Sequence, residues 1–257
     1  MKNPVKVKLA QGGISMGTWN MIGHPVVAEI LALAGFDWIA LDLEHGIMDW
    51  PQAAVQMMAM QGTACVPLCR LPANEPMHFK LALDAGALGV IVPMIDSAES
   101  ASRAVACAKY PPQGMRGVGI ARAHGYGTRF DEYVSAANAE TLVALQIEHV
   151  DAVNHIEEIC AVPGVDAIFI GPYDLSGSMD RIGQLRHPEV EEAVAHALAA
   201  AKSSGVAPGL HVVDPRPGEV AQRVAEGFRF MAVGLDVLLL GNSARELSDM
   251  SRQRESE

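Results

Sequence analysis

Along the whole chain, short apolar segments rich in valine, isoleucine and leucine alternate with longer segments of helical periodicity. The apolar segments predict eight strands, at residues 14–20, 37–44, 64–70, 88–95, 141–149, 166–174, 207–213 and 228–236. Helices are expected near residues 25–34, 51–61, 75–85, 97–109, 151–160, 188–203 and 216–226, with a last one after 237. Apolar strands that alternate with helices are typical of a buried parallel sheet. Eight units favour closure into a (β/α)8 barrel, and because no linker interrupts them we expect residues 1–257 to form one domain.

Prolines and glycines support this phasing of the helices. Pro25, Pro51 and Pro188 fall where first helical turns are expected, a place that tolerates proline because its missing N–H would have no partner there. Glycines such as Gly86 fall at helix ends. The regular spacing breaks at residues 110–140, where a Gly- and Arg-rich segment predicts a long ordered loop, and such loops are more often functional than idle.

Composition limits the classes of partner. The formal net charge of −11 disfavours nucleic acid or an anionic membrane surface as a partner. No stretch approaches the roughly 20 apolar residues of a membrane span, and the N-terminal residues lack the apolar core of a signal peptide. The cysteines show no CxxC pairing and are expected to be small buried side chains, which suits a reducing cytoplasm. They are Cys65, Cys69, Cys107 and Cys160.

Polar residues at the ends of the predicted strands are the candidates for chemistry, because the active site of such a barrel lies at the C-terminal ends of its strands. They come from six different strands. They are Asp42 and Glu44 with His45 just beyond, Arg70, Gln146 with Glu148, Asp174, His211 and Asp236.

Glu148 and Asp174 are the candidate metal ligands. Two carboxylates suit Mg²⁺ or Mn²⁺ when substrate oxygens and waters complete an octahedral shell, and a 2-oxo acid supplies a carboxylate and a keto oxygen for this purpose. The metal would then stabilise an enolate as a Lewis acid. Spacing alone leaves an alternative open, in which Glu148 pairs with a neighbouring arginine and Asp174 caps the following helix.

Arg70 and His45 are the candidates for substrate binding and proton transfer. The planar guanidinium of Arg70 fits a carboxylate or a developing enolate oxygen, and the alternative is an ion pair with Asp42 or Glu44. His45 is a candidate proton shuttle, which Asp42 could orient. No lysine ends a predicted strand, and this disfavours imine chemistry and leaves a metal as the route to an enolate.

At these residues the chain resembles a known family. The segments FDWIALDLEHG, VPLCRLP, LDAGALGVIVPMIDSAESA, KYPPQGMRGVG, LQIE and GVDAIFIGPYDLS, followed by HPEV, are similar to the HpcH/HpaI aldolases, which are class II pyruvate aldolases. The similarity covers nearly the whole chain. It implies a barrel of the phosphoenolpyruvate/pyruvate type, a divalent metal (Mg²⁺, Mn²⁺ or Co²⁺), and reversible cleavage of 4-hydroxy-2-oxo acids to pyruvate and an aldehyde.

The resemblance also implies roles for residues of the predicted site. Glu148 and Asp174 match the family's metal ligands, and Arg70 matches the arginine that binds the pyruvyl oxygen. His45 matches the histidine that performs acid/base work through a water, and Asp42 aligns with its partner acid.

Further positions follow from the same resemblance. Asp84 aligns with an acid contributed by a neighbouring subunit, Gln146 with a pocket glutamine, and the backbone amides of Tyr173 and Asp174 with those that hold the pyruvate carboxylate. The chain departs from the family at Tyr173, which is expected to narrow the donor side of the pocket. It also departs at residues 120–130, where His124 is a candidate substrate-binding residue for the acceptor aldehyde. The resemblance implies an eighth helix exchanged between subunits and a hexamer built as a trimer of dimers.

Three functions are therefore compatible with the sequence. The expected one is a metal-dependent aldolase acting on a small 2-oxo acid and an aldehyde. A condensing enzyme would keep the enolate but use oxaloacetate or another 2-oxo acid, in the manner of a citrate synthase. A non-catalytic barrel would bind 2-oxo acids without turning them over.

Overall fold

Eight parallel strands close into a barrel in which each strand pairs with its sequence neighbours and the first pairs with the last. The structure is a computed structural model, and it describes residues 2–253. The strands are β1 (Ser15–Asn20), β2 (Trp38–Asp42), β3 (Val66–Arg70), β4 (Gly89–Val92), β5 (Leu142–Ile147), β6 (Ala167–Ile170), β7 (Ala207–Val212) and β8 (Phe230–Leu235). The predicted (β/α)8 barrel is confirmed, and each predicted segment contains the strand observed.

Helices cover the outside of this barrel and begin where the chain favours a first helical turn. Pro25 and Pro188 each start a helix, as predicted. Asp49 and Gln52 form a capping box, in which each side chain accepts a hydrogen bond from the other residue's backbone N–H. Within the described residues the helices are α1 (Pro4–Ala10), α2 (Pro25–Leu33), α3 (Trp50–Ala59), α4 (Pro76–Ala85), α5 (Ala98–Ala108), α6 (Phe130–Glu140), α7 (Val150–Asn154), α8 (Ile156–Cys160), α9 (Pro172–Ser178), α10 (Pro188–Ser204), α11 (Glu219–Glu226) and α12 (Asp236–Gln253).

The structure corrects the prediction between residues 110 and 175. Residues 110–140 are not one long loop, because they contain a 3-10 turn at Arg122–His124 and the helix α6. The helix predicted at 151–160 is divided into α7 and α8. The sixth strand stops at Ile170 because Pro172, which has no N–H for a central strand, instead starts α9.

Helix α1 closes the N-terminal end of the barrel and was not predicted. Val5 and Leu9 are buried against the side chains of the barrel interior. Asn3 is fully buried and caps the helix, since its Oδ1 accepts hydrogen bonds from the N–H groups of Val5 and Lys6. Lys6 forms an ion pair of 3.0 Å with Asp166, just before β6. The base of the barrel is therefore sealed, and any site must lie at the other end.

Aromatic side chains fill the barrel interior. Trp38 and Phe230 stack with ring centroids 4.5 Å apart, and Trp19 meets Phe169 edge-on at 5.5 Å. Gly17 has no side chain because a Cβ at this position would overlap the ring of Trp38. The barrel is a packed core and not a pore, as is usual for this fold.

Helix α12 leaves much of its apolar surface uncovered. Leu240 is 65% exposed and Leu247 is 68% exposed, and on α2 the side chains of Ile30 and Leu33 are 61% and 73% exposed. These exposed faces are what an eighth helix that packs on another subunit would leave, but the single chain does not test the predicted exchange.

All four cysteines are free and buried, as predicted. Burial raises the pKa of the Cys65 thiol and of the Cys160 thiol to about 12, so both stay protonated and unreactive. Among residues 2–253, no helix combines the length and apolar character that crossing a bilayer demands.

Candidate active site

The barrel interior becomes polar at the C-terminal ends of the strands. Successive strand residues point to opposite faces, so Asp42 faces inward as Trp38 and Ala40 do. The same alternation directs side chains of four other strands to this end. We call the resulting set the mouth; it consists of Trp19, Asp42, Arg70, Gln146, Glu148 and His211.

A two-point ion pair between Arg70 and Asp42 organises one side of the mouth. Arg70 donates from Nε to Asp42 Oδ1 at 2.9 Å and from Nη2 to Oδ2 at 2.5 Å. The guanidinium carbon also lies 4.3 Å from the centre of the Trp19 ring. The ion pair that the sequence left open as an alternative is therefore present. It uses only part of the guanidinium, because arginine has five N–H donors, and the rest can still bind an oxygen of a substrate.

Glu44 lies beside this pair and has a raised pKa. Its Oε2 lies 3.3 Å from Arg70 Nε and 3.5 Å from the amide nitrogen of Gln146. Burial raises the pKa of Glu44 to about 7, and the neighbouring carboxylates of Glu148 and Asp42 push it in the same direction while Arg70 opposes them. A carboxyl group at the mouth can therefore exchange a proton near neutral pH.

Glu148 and Gln146 come from the end of β5, two strands from Arg70, and form the next part of the mouth beyond Glu44. Glu148 is only 4% exposed, and its Oε1 accepts a hydrogen bond of 2.7 Å from the backbone N–H of Met94. Its Oε2 is in close contact with the amide nitrogen of Gln146. No basic side chain pairs with Glu148 anywhere in residues 2–253, so the arginine pairing that the sequence left open does not occur. The buried oxygen Oε1 of Gln146 has no hydrogen-bond donor among these residues.

Asp174 lies in the first turn of α9, and this helix begins beside Glu148. A Cβ built on Gly171, the residue before the helix, would lie 3.1 Å from the Cβ of Glu148 and 3.3 Å from its Oε2. The glycine therefore keeps the space next to the Glu148 carboxylate free. Asp174 follows three residues later, is exposed, and does not serve as the cap of the helix.

His45 lies just outside the mouth, on the exposed loop after β2. Asp42 Oδ1 accepts hydrogen bonds of 3.1 Å from the backbone N–H groups of Glu44 and His45. Asp42 thus fixes the backbone of this loop and not the imidazole ring, which differs from the orienting contact that the sequence suggested. The ring remains free to face a ligand above the mouth.

Comparison with known proteins places the chain in a family. A sequence model described as HpcH/HpaI aldolase/citrate lyase matches residues 15–243, which run from β1 into α12. The chain belongs to the HpcH/HpaI aldolase/citrate lyase family. A 5-keto-4-deoxy-D-glucarate aldolase from Salmonella arizonae is 37% identical over 248 residues, which are 96% of each chain. These matches confirm the predicted family and the predicted class of enzyme, a carbon–carbon lyase.

Solved structures of HpcH/HpaI proteins have the same fold. A family protein from Burkholderia cenocepacia J2315 is 37% identical, with a TM-score of 0.93 over 98% of this chain and 100% of that one. The structure of a citrate synthase is 26% identical, with a TM-score of 0.88 over 98% of each chain. The same fold therefore occurs in an HpcH/HpaI family protein and in a citrate synthase.

In this HpcH/HpaI barrel, Asp84 does not reach the mouth of its own chain. It lies in the last turn of α4, and because the helices run opposite to the strands this turn faces the base of the barrel. Its carboxylate pairs at 2.7 Å with Arg116, a buried guanidinium that lies over the ring of Tyr110. The role that the resemblance implies, in the site of a neighbouring subunit, stays a prediction.

His124 is also away from the mouth. It is 2% exposed inside the turn formed by residues 119–127. Its Nδ1 accepts a hydrogen bond from the N–H of Gly127 at 3.0 Å, and its Nε2 lies 2.8 Å from the carbonyl oxygen of Gly119. With both ring nitrogens used by the backbone, His124 holds this turn together. Its position gives no support to the predicted contact with substrate.

Tyr173 lies at the edge of the mouth, in the first turn of α9. The residue is 52% exposed. Its N–H and that of Asp174 lie where a helix has no acceptor of its own, so they stay the predicted donors to a substrate carboxylate.

The sequence assigned no role to three residues of this HpcH/HpaI site. Glu44 was noted as a strand-end acid, but its raised pKa depends on burial that only the closed barrel produces. Trp19 faces inward by the alternation of β1, which was available from the sequence, but its contact with Arg70 was not. His211 was noted at the end of β7, and its two-residue spacing from the inward Gly209 could have placed it in the mouth.

Proposed function

We propose that this protein is a divalent-metal-dependent aldolase that cleaves 4-hydroxy-2-oxo acids to pyruvate and an aldehyde through the pyruvate enolate. The observation that carries the proposal is the buried carboxylate of Glu148, which lacks a basic partner in residues 2–253 and lies at the same mouth as Arg70. The relatives named 5-keto-4-deoxy-D-glucarate aldolase support a 2-oxo acid substrate with hydroxyl groups on the aldehyde half.

The residues present fit a hard divalent cation. A buried carboxylate is stable when it is paired or binds a metal, and no cationic side chain of the described chain compensates Glu148. Gly171 leaves the space beside its Oε2 free, and the exposed carboxylate of Asp174 follows in the adjacent turn. Oxygen ligands of this kind are preferred by Mg²⁺, Mn²⁺ and Co²⁺ in sites that substrate and water complete. The specific metal is part of the proposal.

In the proposed reaction, the residues at and beside the mouth have different roles. A bound metal would supply Lewis acidity at the carboxylate and keto oxygens of the substrate. Arg70, fixed by Asp42, donates hydrogen bonds to the oxygen on which enolate charge develops. His45 takes the proton of the C4 hydroxyl through a water, and the C3–C4 bond then breaks to release the aldehyde. Return of this proton to C3 of the enolate gives pyruvate. The packed aromatic layer below the mouth keeps bulk water away from the enolate from beneath.

The metal dependence is the first test. We expect EDTA to lower pyruvate release about 100-fold or more, because Lewis-acid stabilisation of the enolate is lost, and Mg²⁺, Mn²⁺ or Co²⁺ to restore it. Full activity in the chelator would contradict the metal's role.

A matched pair of variants assigns the ligand. Glu148→Gln should remain folded but lose Mg²⁺ binding by calorimetry together with pyruvate release. Glu29→Gln, the same change on the exposed surface of α2, is the control and should alter neither. Normal metal binding by Glu148→Gln would show that the ligand was wrongly assigned.

A condensing enzyme is the second candidate, and the citrate synthase with the same fold favours it. Such an enzyme would use the same enolate chemistry but join it to oxaloacetate or another 2-oxo acid. An assay that follows pyruvate release and carboxylate products in parallel separates the two. Tricarboxylate formation without pyruvate release would establish the second candidate.

We also propose that the protein works as a cytoplasmic homo-oligomer, with α12 packed on a second copy of the chain. The exposed apolar residues of α12 and α2 support an oligomer, and the free buried cysteines suit a reducing compartment. A hexamer built as a trimer of dimers and a single domain spanning residues 1–257 stay predictions of the resemblance and of the sequence pattern.

A further inference from the structure

Met94 lies at the rim of the mouth, just after β4, in a backbone conformation that residues other than glycine rarely adopt. Its φ is +53°, in the left-handed region, which is unfavourable because the Cβ comes too close to the following carbonyl oxygen. Two other non-glycine residues in the described part of the chain share this conformation. Asp180 is of a type that tolerates it, and Tyr126 lies in the turn that His124 holds together. The strain at Met94 has no such local explanation.

Packing after β4 keeps the chain in this left-handed turn. Alternation along the strand would direct Ile95 into the barrel interior, where Ile91 points. Ile95 instead is 1% exposed in the outer core, together with Val90 and Val92. The turn at Met94 therefore breaks the alternation and leads the chain out of the barrel toward α5. The Met94 side chain itself is 63% exposed and is not held by the core.

The same turn directs the backbone N–H of Met94 at the carboxylate of Glu148. The N–H donates to Glu148 Oε1 at 2.7 Å, a short distance that is typical of a bond to a charged acceptor. The other oxygen, Oε2, is in contact with the amide nitrogen of Gln146. In the described part of the chain each oxygen of Glu148 is thus held by one donor. The orientation of the carboxylate plane depends on both contacts.

Two hydrogen bonds orient this carboxylate without using all of its lone pairs. A carboxylate has about four acceptor positions, so both oxygens of Glu148 keep lone pairs for another ligand. Gly171 leaves the space beside Oε2 free. Contacts that orient a metal ligand from outside influence how tightly the metal binds, and their loss typically lowers metal affinity about 10–100-fold.

We propose that Met94 is a positioning residue, whose left-handed backbone holds Glu148 in the orientation that binds the divalent cation; this inference rests on the proposed function. A residue that disfavours positive φ would turn the N–H away and leave Oε1 of Glu148 without its donor. The affinity for the cation should therefore follow the backbone preference of residue 94, and not the size or polarity of its side chain.

The test measures Mg²⁺ binding by calorimetry in full-length variants that differ in their tolerance of positive φ. Met94→Gly and Met94→Asn introduce residues that accept this conformation, and both should bind Mg²⁺ as wild type does. Met94→Val introduces a β-branched residue that resists it, and should bind Mg²⁺ about 10-fold more weakly or worse. Met115→Val is the control, because Met115 is also 63% exposed but lies in the loop after α5, without positive φ. It should bind Mg²⁺ normally.

A comparison of two ions gives a readout that a loss of folded protein would not change. Mg²⁺ requires a near-ideal octahedral set of ligands, whereas Ca²⁺ accepts irregular ones. A misdirected carboxylate should therefore weaken Mg²⁺ binding more than Ca²⁺ binding, so the ratio of the two affinities should fall in Met94→Val. An equal loss for both ions would give Met94 a purely structural role and overturn the inference.

The outcomes also separate the inference from the proposed function. If wild type binds Mg²⁺ and Met94→Val binds it equally well, or if all three variants of Met94 are weakened alike, the metal site stands and the role of the Met94 backbone falls. If wild type binds no divalent cation, both fall. Should Met94→Val fail to fold, Met94→Ala replaces it, because alanine differs from glycine only by the Cβ. Weaker Mg²⁺ binding by Met94→Ala than by Met94→Gly would support the inference, and equal binding would overturn it.

Discussion

At the scale of single residues, a buried charge decides how the mouth is built. Asp42 has no exposed surface, and a buried carboxylate of this kind costs several kcal/mol unless it is paired. Arg70 supplies that pairing through two hydrogen bonds. The guanidinium is therefore in place before any substrate arrives, and its function in binding cannot be separated from its function in folding by simple deletion.

Substitutions of Arg70 should affect both the stability of the protein and its activity. Arg70→Ala leaves Asp42 buried without a partner, so we expect the free energy of unfolding to fall by about 3–5 kcal/mol. Arg70→Lys keeps a charge for Asp42 but not the planar fork. The lysine variant should lose about 1–2 kcal/mol in the free energy of unfolding, while its rate of pyruvate release should fall about 100-fold. Urea unfolding and pyruvate release measure the two effects. A lysine variant with wild-type activity would show that the fork does not contribute to the reaction.

The strand pattern predicted the positions of some site residues but not their protonation or burial. The alternation of β2, β3 and β5 correctly placed Asp42, Arg70 and Glu148 at one end of the barrel, because this property is local to each strand. The protonation of Glu44 was not predictable, since its raised pKa depends on charges and burial contributed by other strands. The burial of His124 was not predictable for the same reason, because it depends on the folded turn, and its contact with substrate stays a prediction.

At the scale of elements, α1 and the ends of α5 and α6 form the base of the barrel. Lys109, just after α5, is 4% exposed and donates hydrogen bonds to the carbonyl oxygens of Asn138 and Thr141. Lys6 of α1 donates to the same Thr141 oxygen. Two ammonium groups thus share one acceptor, an arrangement that stays stable because Asp166 pairs with Lys6.

The buried lysine at the base of the barrel should make the stability of the protein depend on pH in the alkaline range. Burial lowers the pKa of Lys109 from 10.5 to about 8, so between these values the unfolded chain binds more protons than the folded one, and stability rises with pH. Relative to Lys109→Met, wild type should gain about 1–3 kcal/mol in unfolding free energy between pH 8 and pH 10.

Denaturant titrations at several pH values measure this difference. Lys80→Met, a change at an exposed lysine of α4, is the control and should follow the wild-type curve. Parallel curves for wild type and Lys109→Met would contradict the burial of a perturbed lysine at the base.

Helix α1 was not predicted because its sequence pattern is too short. Its seven residues contain two buried side chains, Val5 and Leu9, a pattern too short to show helical periodicity. Its stability comes from contacts with residues far along the chain, such as the bond from Asn3 to the carbonyl oxygen of Leu88. A helix this short depends on tertiary packing and not on propensity.

At the scale of the whole molecule, α12 carries an apolar face that the single chain does not cover. Val237, Leu240, Ala244 and Leu247 recur at spacings of three and four, which places them on one side of the helix. Exposed apolar surface of this kind marks a contact with another protein surface. We interpret it as the contact between copies of this chain.

Charge on that face should disrupt the oligomer. We expect the double variant Leu240→Glu and Leu247→Glu to run at a smaller mass in light scattering while far-UV circular dichroism keeps the barrel signature. The change Asp249→Lys, on the opposite side of the helix, is the control and should leave the mass unchanged. A double variant with the wild-type mass would place the interface elsewhere.

What the sequence by itself determined was the set of local patterns. Eight continuous apolar segments that alternate with helices predict a parallel sheet, their number favours a closed barrel, and the polar residues that end six of them mark the end at which chemistry occurs. These features depend on neighbouring residues, so one chain without a structure is enough to identify them.

The tertiary structure alone decided the contacts between strands. The pairing of β2 with β3 brings Arg70 onto Asp42, and barrel closure sets His211 opposite Arg70. The packing of α4 turns Asp84 away from the mouth of its own chain. The physical reason is that burial and pairing energies depend on residues distant in sequence. The raised pKa of Glu44, the pKa of His211, which burial lowers to about 4, and the uncovered face of α12 all arise from that long-range packing.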